Sequence, residues 1–389
     1  MPSAPRLALA LVVHGSGIRR RYPAPRTCRA ARYAHPRSSV GSGPVACAFV
    51  RIGVVAPVWF PVPPLGYGGI ELVVALLADG LVDAGHDVTL FASGGSRTKA
   101  ELVSPFPEPP DPRLLGSAWY DAAHAFSSYL HAGEFQVIHD HAGIVGPVLG
   151  AMLAGRPPVL HTLHGPWTGE SRMLYRMLAD HLHLVAISEA QRADNPEVRY
   201  AGVVHNGIDL DAYPFRAVKD DYLVYIGRAN TDKGPTEAIE VARRAGMPLR
   251  MILKRAEPPE QAYFEQEIAP LLGDDVELLE NVPHDVKVDL LGGARAMVFP
   301  IRWPEPFGLV MVEAMACGTP VVTTNWGAAP ELVDDGVTGF RRDSIEDLVS
   351  AVSRCAELDP AACRSRVERH FSAGAMVRGY TDLFARIAG

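Results

Sequence analysis

Residues 296–324 read AMVFPIRWPEPFGLVMVEAMACGTPVVTT, and this stretch decides the fold. Ala296–Phe299 is a short, continuously apolar run, Leu309–Ala316 is a helical stretch, and Val321–Thr323 is a second β-branched run. Strands that are apolar throughout, rather than alternating, are those buried on both faces of a parallel sheet. The same alternation extends upstream through Tyr222–Ile226, Leu249–Leu253 and Val276–Leu279, with a helix expected over Thr236–Ala245. A separate series runs through Ile52–Ala56, Val88–Ala92, Gln136–His139, Val159–Thr162, Leu184–Ile187 and Val203–His205, with a helix expected over Glu71–Ala84. Two such series predict an α/β protein of two doubly wound parallel-sheet domains, with a ligand at the carboxyl ends of the strands. Asp211–Asp221, which contains Tyr213-Pro214 and has little periodicity, reads as the linker, and Arg364–Ile387 as a final helix.

The chain has 389 residues, a length that suits two or three domains. Hydrophobic residues at 48% and charged residues at 21% exclude a disordered chain, a collagen-like chain and a small disulfide scaffold. A net charge of −7 argues against a dedicated nucleic-acid binder. No apolar run reaches the roughly 18 residues needed to span a bilayer. The charge is unevenly placed: residues 1–49 hold eight arginines and no Lys, Asp or Glu, so that segment is +8 and the remainder −15. Three readings compete for it. A signal peptide would use Leu7–Val13 as its apolar core, but only Arg6 precedes that run and Arg19, Arg20 and Arg21 follow it. An organelle transit peptide is the second reading. The third, which we favour, is a start codon placed too early, with Val50-Arg51-Ile52-Gly53 opening the first strand. In each case residues 1–49 are expected to be a disordered extension outside the fold. The five cysteines, Cys28, Cys47, Cys317, Cys355 and Cys363, show no metal or redox spacing. They read as small hydrophobes in a reducing, cytoplasmic compartment.

Three motifs carry chemistry. Gly66-Tyr67-Gly68-Gly69-Ile70-Glu71 lies between the first strand and a helix, where glycines let backbone N–H groups approach an anion. It is not GxGxxG, and no acidic residue ends the second strand, which argues against a nicotinamide enzyme. Arg228 and Lys233, five apart after the strand Tyr222–Ile226, make a cationic clamp suited to a diphosphate. Glu305 and Glu313 are eight apart, the first in a Pro-bounded loop and the second inside an apolar helix. A carboxylate there is costly unless hydrogen-bonded, and sugar hydroxyls are suitable partners. His139, His141, His161 and His164 cluster in the first domain; they lack a completing Glu or Cys, so no metal site is expected. His164, after the strand Val159–Thr162, is expected to face the crevice. Asp209-Leu210-Asp211 formally matches DxD but sits at the domain boundary and reads as a turn.

Together these residues resemble the retaining glycosyltransferases of family 4, the glycogen-synthase-like group 1 enzymes of the GT-B fold. The resemblance runs from about Arg51 to Gly389. It is carried by Gly68-Gly69-x-Glu71, Gly85-His86-Asp87-Val88, His205-Asn206-Gly207-Ile208-Asp209 and Gly227-Arg228-x4-Lys233-Gly234. Most diagnostic is Glu305-x7-Glu313 followed by Cys317-Gly318-Thr319-Pro320-Val321. Gly327-x2-Pro330-Glu331 and Asp335-Gly336-x-Thr338-Gly339-Phe340 complete it. The resemblance implies two Rossmann-like domains, the acceptor-side one over 50–213 and the donor one over 214–369, with a helix over 370–389 crossing back to the first. It implies that Arg228 and Lys233 bind the donor diphosphate. Glu313 would accept from the donor ribose, and Glu305 with the backbone of Phe307, Gly308 and Leu309 would hold the transferred sugar and β-phosphate. Gly68 and Gly69 would close on the diphosphate, and His164 would sit at the reacting face. The implied substrate is a UDP- or GDP-linked sugar, with no cofactor, no metal, no nucleic-acid partner and at most peripheral membrane contact. The acceptor, whether small molecule, glycan or lipid, is not fixed. The sequence departs from many members after the strand Leu249–Leu253, where Lys254-Arg255-Ala256-Glu257-Pro258-Pro259 replaces a Gly-rich turn; exposure is expected for these cations.

Two other classes compete. A sugar-nucleotide epimerase or a phosphorylase would share the fold, but neither accounts as well for Glu305-x7-Glu313 with Arg228 and Lys233. A non-catalytic sugar-nucleotide-binding module would not be expected to retain the phosphate and sugar residues.

Overall fold

The computed structural model describes residues 49–66, 68–153 and 157–388. The expected extension, apart from Phe49, and Tyr67 of the first glycine loop lie outside the described residues. Among the described residues thirteen strands form two parallel sheets. The first contains β1 (Arg51–Val55), β2 (Asp87–Phe91), β3 (Glu101–Val103), β4 (Val137–Asp140), β5 (Val159–Leu163), β6 (His183–Ala186) and β7 (Tyr200–Val203). The second contains β8 (Leu223–Arg228), β9 (Leu249–Lys254), β10 (Val276–Leu279), β11 (Ala296–Phe299), β12 (Val321–Thr323) and β13 (Gly339–Arg341). Their orders are β3-β2-β1-β4-β5-β6-β7 and β10-β9-β8-β11-β12-β13. Each order reverses beside its first strand, between β1 and β4 and between β8 and β11. Such switch points open a crevice beyond the strand carboxyl ends.

The helices of the first part are α1 (Gly69–Asp83), α2 (Ala118–Leu130), α3 (Val145–Met152), α4 (Gly169–Leu178) and α5 (Glu189–Asp194). Those of the second are α6 (Pro235–Arg244), α7 (Pro258–Tyr263), α8 (His284–Gly293), α9 (Leu309–Ala316), α10 (Ala329–Leu332) and α11 (Ile345–Arg354), and the chain ends in α12 (Pro360–His370) and α13 (Ala373–Ile387). The central strands are buried along nearly their whole length, as strands covered by helices on both faces must be.

Four elements differ from the sequence reading. The strand expected over Val203–His205 is β7 at Tyr200–Val203, because this edge strand is only half-buried and its Tyr-Ala-Gly-Val sequence carries no apolar run. The short edge strands β3 and β13 were not expected either, because Glu101–Val103 is largely exposed and Gly339–Arg341 carries a single apolar side chain. The final helix is two helices. Phe371 leaves the first, its carbonyl accepts from the Ile208 N–H at 2.9 Å, and the Ser372 hydroxyl caps the second by accepting from Ala375 N at 3.3 Å. The expected linker is also well anchored. Tyr213 is buried, and Lys219 donates to the carbonyls of Gly292 and Cys317 and to the Thr319 hydroxyl. From this crossing α13 returns to α1 and inserts Met376, Val377, Tyr380, Leu383 and Phe384 into the core of the first sheet. Cys317, Cys355 and Cys363 are buried and free, and burial pushes each thiol up to about 12.

Candidate active site

Every chemistry-bearing motif lies at a strand carboxyl end. Two helix N-termini meet there, one from each domain. α1 begins after Gly68 (φ +149°) and α9 after Gly308 (φ +98°), and neither has a side-chain cap. Their first-turn N–H groups point into the crevice with the positive end of each helix dipole. The two ends are close: a Cβ built on Gly69 would stand 3.3 Å from Leu309 Cδ1. Phe307 supplies backbone to this loop while its ring packs against His205 and Phe371 where the chain crosses between domains.

Lys233 and Glu305 are brought together. The Lys233 ammonium pairs with Glu305 Oε2 and lies 4.6 Å from the centre of the Trp303 ring. Trp303 Nε1 donates to the same carboxylate oxygen at 2.8 Å. Glu305 is buried, and these two donors satisfy a carboxylate that would be costly to leave without partners there. Its backbone is held by Ala328, whose N–H donates to the Glu305 carbonyl at 2.9 Å. Gly327 (φ +56°) sits against Glu305 backbone N and O, where a side chain would collide. The sequence treats Arg228 and Lys233 as one open clamp; in the structure each cation already has a carboxylate. Arg228 pairs with Glu260 through Nε and with Glu257 through Nη2 at 2.9 Å. The departure after β9 therefore supplies counter-ions to Arg228. The cations of that loop are not simply exposed either. Lys254 is half-buried and held down at about 8 by burial, while Arg255 pairs with Glu280 and stacks on Phe264.

Glu313 also differs from expectation. Inside α9 it accepts from the Tyr213 hydroxyl at 2.7 Å and from Lys287 Nζ at 3.0 Å on both oxygens. A buried carboxylate that seemed to need an external partner has two internal ones. Tyr213 was hidden because its segment read as linker, and Lys287 because it is a single cation in α8.

On the first domain, His164 Nε2 lies 2.9 Å from His141 Nδ1, and His141 Nε2 lies 3.3 Å from His139 Nδ1. Burial holds all three well below the usual imidazole range, with His164 at about 3. The histidines are thus spent on one another, and among the described residues no group of three or more His, Cys, Asp or Glu is placed to hold a metal. Asp209 accepts from Asp211 N at 3.0 Å, so the DxD match is a turn. Glu71, beside Gly68, is buried and pushed up to about 7 by desolvation, against the opposing pull of its own backbone N–H and of Lys254. A cleft beside Glu305 is lined by Trp167, Gln191 and Gly327. A larger cavity of about 550 Å³, between Asp211–Arg216 and α8, contains none of the expected site residues.

A latch joins the two domains. Glu331, in α10, accepts from Glu189 N at 2.8 Å, from Ala190 N at 2.6 Å and from His205 Nε2 at 2.9 Å. Its burial raises its pKa, but these donors outweigh that and hold it below the usual carboxylate range.

Residues 67–212 match the family model described as Glycosyltransferase Family 4, and residues 212–366 that of the glycosyl transferases group 1. The two matches meet at Ala212, in the crossing between the sheets. The chain belongs to the group 1 glycosyltransferases. This glycosyltransferase is 27% identical over 358 residues to a glycogen synthase of Mycobacterium tuberculosis, covering 78% of this chain and 86% of that one. It is 27% identical over 315 residues to the phosphatidyl-myo-inositol mannosyltransferase of Mycolicibacterium smegmatis, covering 75% and 80%. Among solved structures it resembles AviGT4, a glycosyltransferase involved in avilamycin A biosynthesis, with TM-score 0.65, 26% identity and coverage of 87% and 98%. The Anabaena HepE structure in complex with UDP and glucose shares the fold, with TM-score 0.66, 23% identity and coverage of 86% and 99%. The glycosyltransferase has the GT-B architecture of two facing parallel sheets. Among the described residues no helix is long and apolar enough to cross a membrane.

Proposed function

We propose that this enzyme moves a sugar from a nucleoside-diphosphate sugar to an acceptor hydroxyl with retention of anomeric configuration and without a metal ion. The observation that carries this reading is the meeting of two uncapped helix N-termini from opposite domains beside Lys233 and Glu305. Paired dipole ends and a side-chain cation suit a departing diphosphate. Arg228 binds the diphosphate from the other side, and the N–H groups of Gly308 and Leu309 take its β-phosphate. Glu305 holds the transferred sugar through the hydroxyls nearest Lys233. Glu313, fixed by Tyr213 and Lys287, presents a charged oxygen to the donor ribose. The acceptor hydroxyl attacks from the face the diphosphate leaves, and the leaving phosphate takes its proton. His164 stands at that face. UDP is the first donor base to test, since HepE was solved with UDP and glucose. We place the reaction in the cytoplasm, where free buried cysteines persist.

The test is incubation with UDP- and GDP-sugars and a panel of glycan, lipid and small-molecule acceptors, with and without EDTA. Product configuration is read by proton NMR. Retention with full activity in EDTA is expected. An inverted product or loss of activity on chelation refutes the mechanism, and donor turnover to an epimer refutes the transfer.

A further inference from the structure

We propose that His139, His141, Thr162 and Tyr380 are positioning residues that fix the tautomer of His164, so that its Nδ1–H faces the crevice as a hydrogen-bond donor. The five side chains form one continuous chain. His164 Nε2 meets His141 Nδ1 at 2.9 Å, His141 Nε2 meets His139 Nδ1 at 3.3 Å, His139 Nε2 meets Thr162 Oγ1 at 2.9 Å, and Thr162 Oγ1 meets Tyr380 Oη at 2.9 Å. Thr162 and the histidines lie on β4, on β5 and just after each, whereas Tyr380 is brought in by α13 from the far end of the chain. A terminal helix therefore touches the reacting face through four hydrogen bonds.

A proton count sets the direction. Burial keeps the three imidazoles neutral. Each neutral imidazole carries one N–H, and each hydroxyl one O–H. Five groups thus hold five protons, four of which fill the four links. The fifth sits at one end or, if Thr162 accepts from both neighbours, on the Thr162 hydroxyl, where it too would be a buried donor without an acceptor. If every group donated toward Tyr380, its own hydroxyl proton would be left over in a core position where the residue is 0% exposed. Tyr380 makes no other side-chain hydrogen bond among the described residues. A buried donor without an acceptor is disfavoured by roughly tenfold or more in population. The protons therefore run the other way. Tyr380 donates to Thr162, Thr162 to His139 Nε2, His139 Nδ1–H to His141, and His141 Nδ1–H to His164 Nε2. The fifth proton lies on His164 Nδ1, which is not sealed from solvent. His164 then offers a proton donor to an oxygen of the bound donor sugar and has no lone pair free to act as a base. That consequence rests on the function proposed above; the tautomer itself does not.

The experiment uses the full chain labelled with nitrogen-15 histidine, without substrate, at neutral pH. Nitrogen shifts separate protonated from bare ring nitrogens, and His164 is assigned by the signals lost in His164→Asn. Protonated Nδ1 and bare Nε2 are expected at His139, His141 and His164. Protonated Nε2 or an imidazolium at His164 overturns the proposal. Thr162→Val takes away the donor to His139 Nε2, so neither direction satisfies that nitrogen, Nε2–H is expected to appear at His164 beside Nδ1–H, and kcat is expected to fall by about twofold. Thr162→Ser restores the hydroxyl, the wild-type tautomer and the rate. Nδ1–H as the sole tautomer of His164 in folded Thr162→Val also overturns it. If the valine variant does not fold, the wild-type spectrum alone decides. The expected tautomer with no transfer from any donor would sink the functional reading and leave the relay standing.

Discussion

Truncation of Glu331 should loosen the crevice. The N–H groups of the first turn of α5 are all accounted for. Gln191 N donates to the Ser188 hydroxyl at 3.0 Å and Arg192 N to the Ser188 carbonyl at 3.1 Å. Glu189 N and Ala190 N donate to Glu331, which comes from the opposite domain. Glu331→Ala removes those two bonds and the one from His205. Hydrogen bonds to a charged group contribute roughly 1.5–3 kcal/mol each, less where water can replace the lost partner. The Glu189 site is open to water and the Ala190 and His205 sites are partly covered, so about 3 kcal/mol is the reasonable total for the latch. Spent on holding the domains together, that is a factor of about 100 in the closed-to-open ratio. UDP affinity, measured by calorimetry, should fall by about tenfold or more, and the radius of gyration from small-angle scattering should rise. Glu331→Gln keeps one acceptor and turns an amide toward the other N–H, so it should fall between. Unchanged UDP affinity and unchanged dimensions in Glu331→Ala would refute the latch.

Three further outcomes follow from the same geometry. Lys233→Ala should lower kcat/KM by about 10²-fold or more, because the charge that develops on the departing diphosphate loses its nearest cation; Lys233→Arg should recover only part, and a wild-type rate in the alanine variant would remove Lys233 from the chemistry. Glu313→Gln should cost about 3 kcal/mol in urea unfolding, since it strands the Lys287 ammonium, and adding Lys287→Met should return most of that loss; additive losses would show that the pair does not interact. Glu71 has a folded pKa of about 7 against an ordinary 4.5, so the folded state binds its proton more tightly, and the resulting stability is full below 4.5 and lost as pH rises through 7. The stability of the wild type relative to Glu71→Gln should therefore fall by about 3 kcal/mol between pH 4.5 and 8, and a difference constant with pH would show that Glu71 is not desolvated.

Both sheets were legible because their central strands are sealed on two faces and must be apolar throughout. The edge strands β3, β7 and β13 carry no such demand, and their sequences say little. The candidate site was legible where backbone does the work, since Gly68 and Gly308 announce helix starts that a side chain would block. It was illegible where one side chain answers another across the fold. Glu313 read as a carboxylate in need of a partner, and nothing local points to Tyr213, a hundred residues upstream, or to Lys287. The same holds for Glu331 and α5, for Tyr380 and Thr162, and for Glu260 and Arg228. Periodicity reports which face is buried. It does not report which polar group meets which.

The counter-ions of Arg228 bear on the diphosphate-binding role proposed for it. Glu260 is almost fully buried, and its Oε2 accepts from Ala256 N at 2.7 Å and from Glu257 N at 3.1 Å. It is fixed by its own loop, so the bond it accepts from Arg228 Nε holds the guanidinium plane in place. Glu257 has a half-exposed side chain and takes the outer edge of the same guanidinium. A fixed carboxylate on Nε and an exposed one on Nη2 have different consequences. The first limits the rotamers that Arg228 would otherwise lose on binding, a saving that flexible cations lack. The second balances a charge that would be costly to leave unpaired in a closing crevice, and water can take it over when a ligand phosphate arrives. If Arg228 binds the diphosphate as proposed, an arginine held on one edge and exchangeable on the other would meet it in a single orientation. Electrostatic stabilisation without reorganisation requires that arrangement.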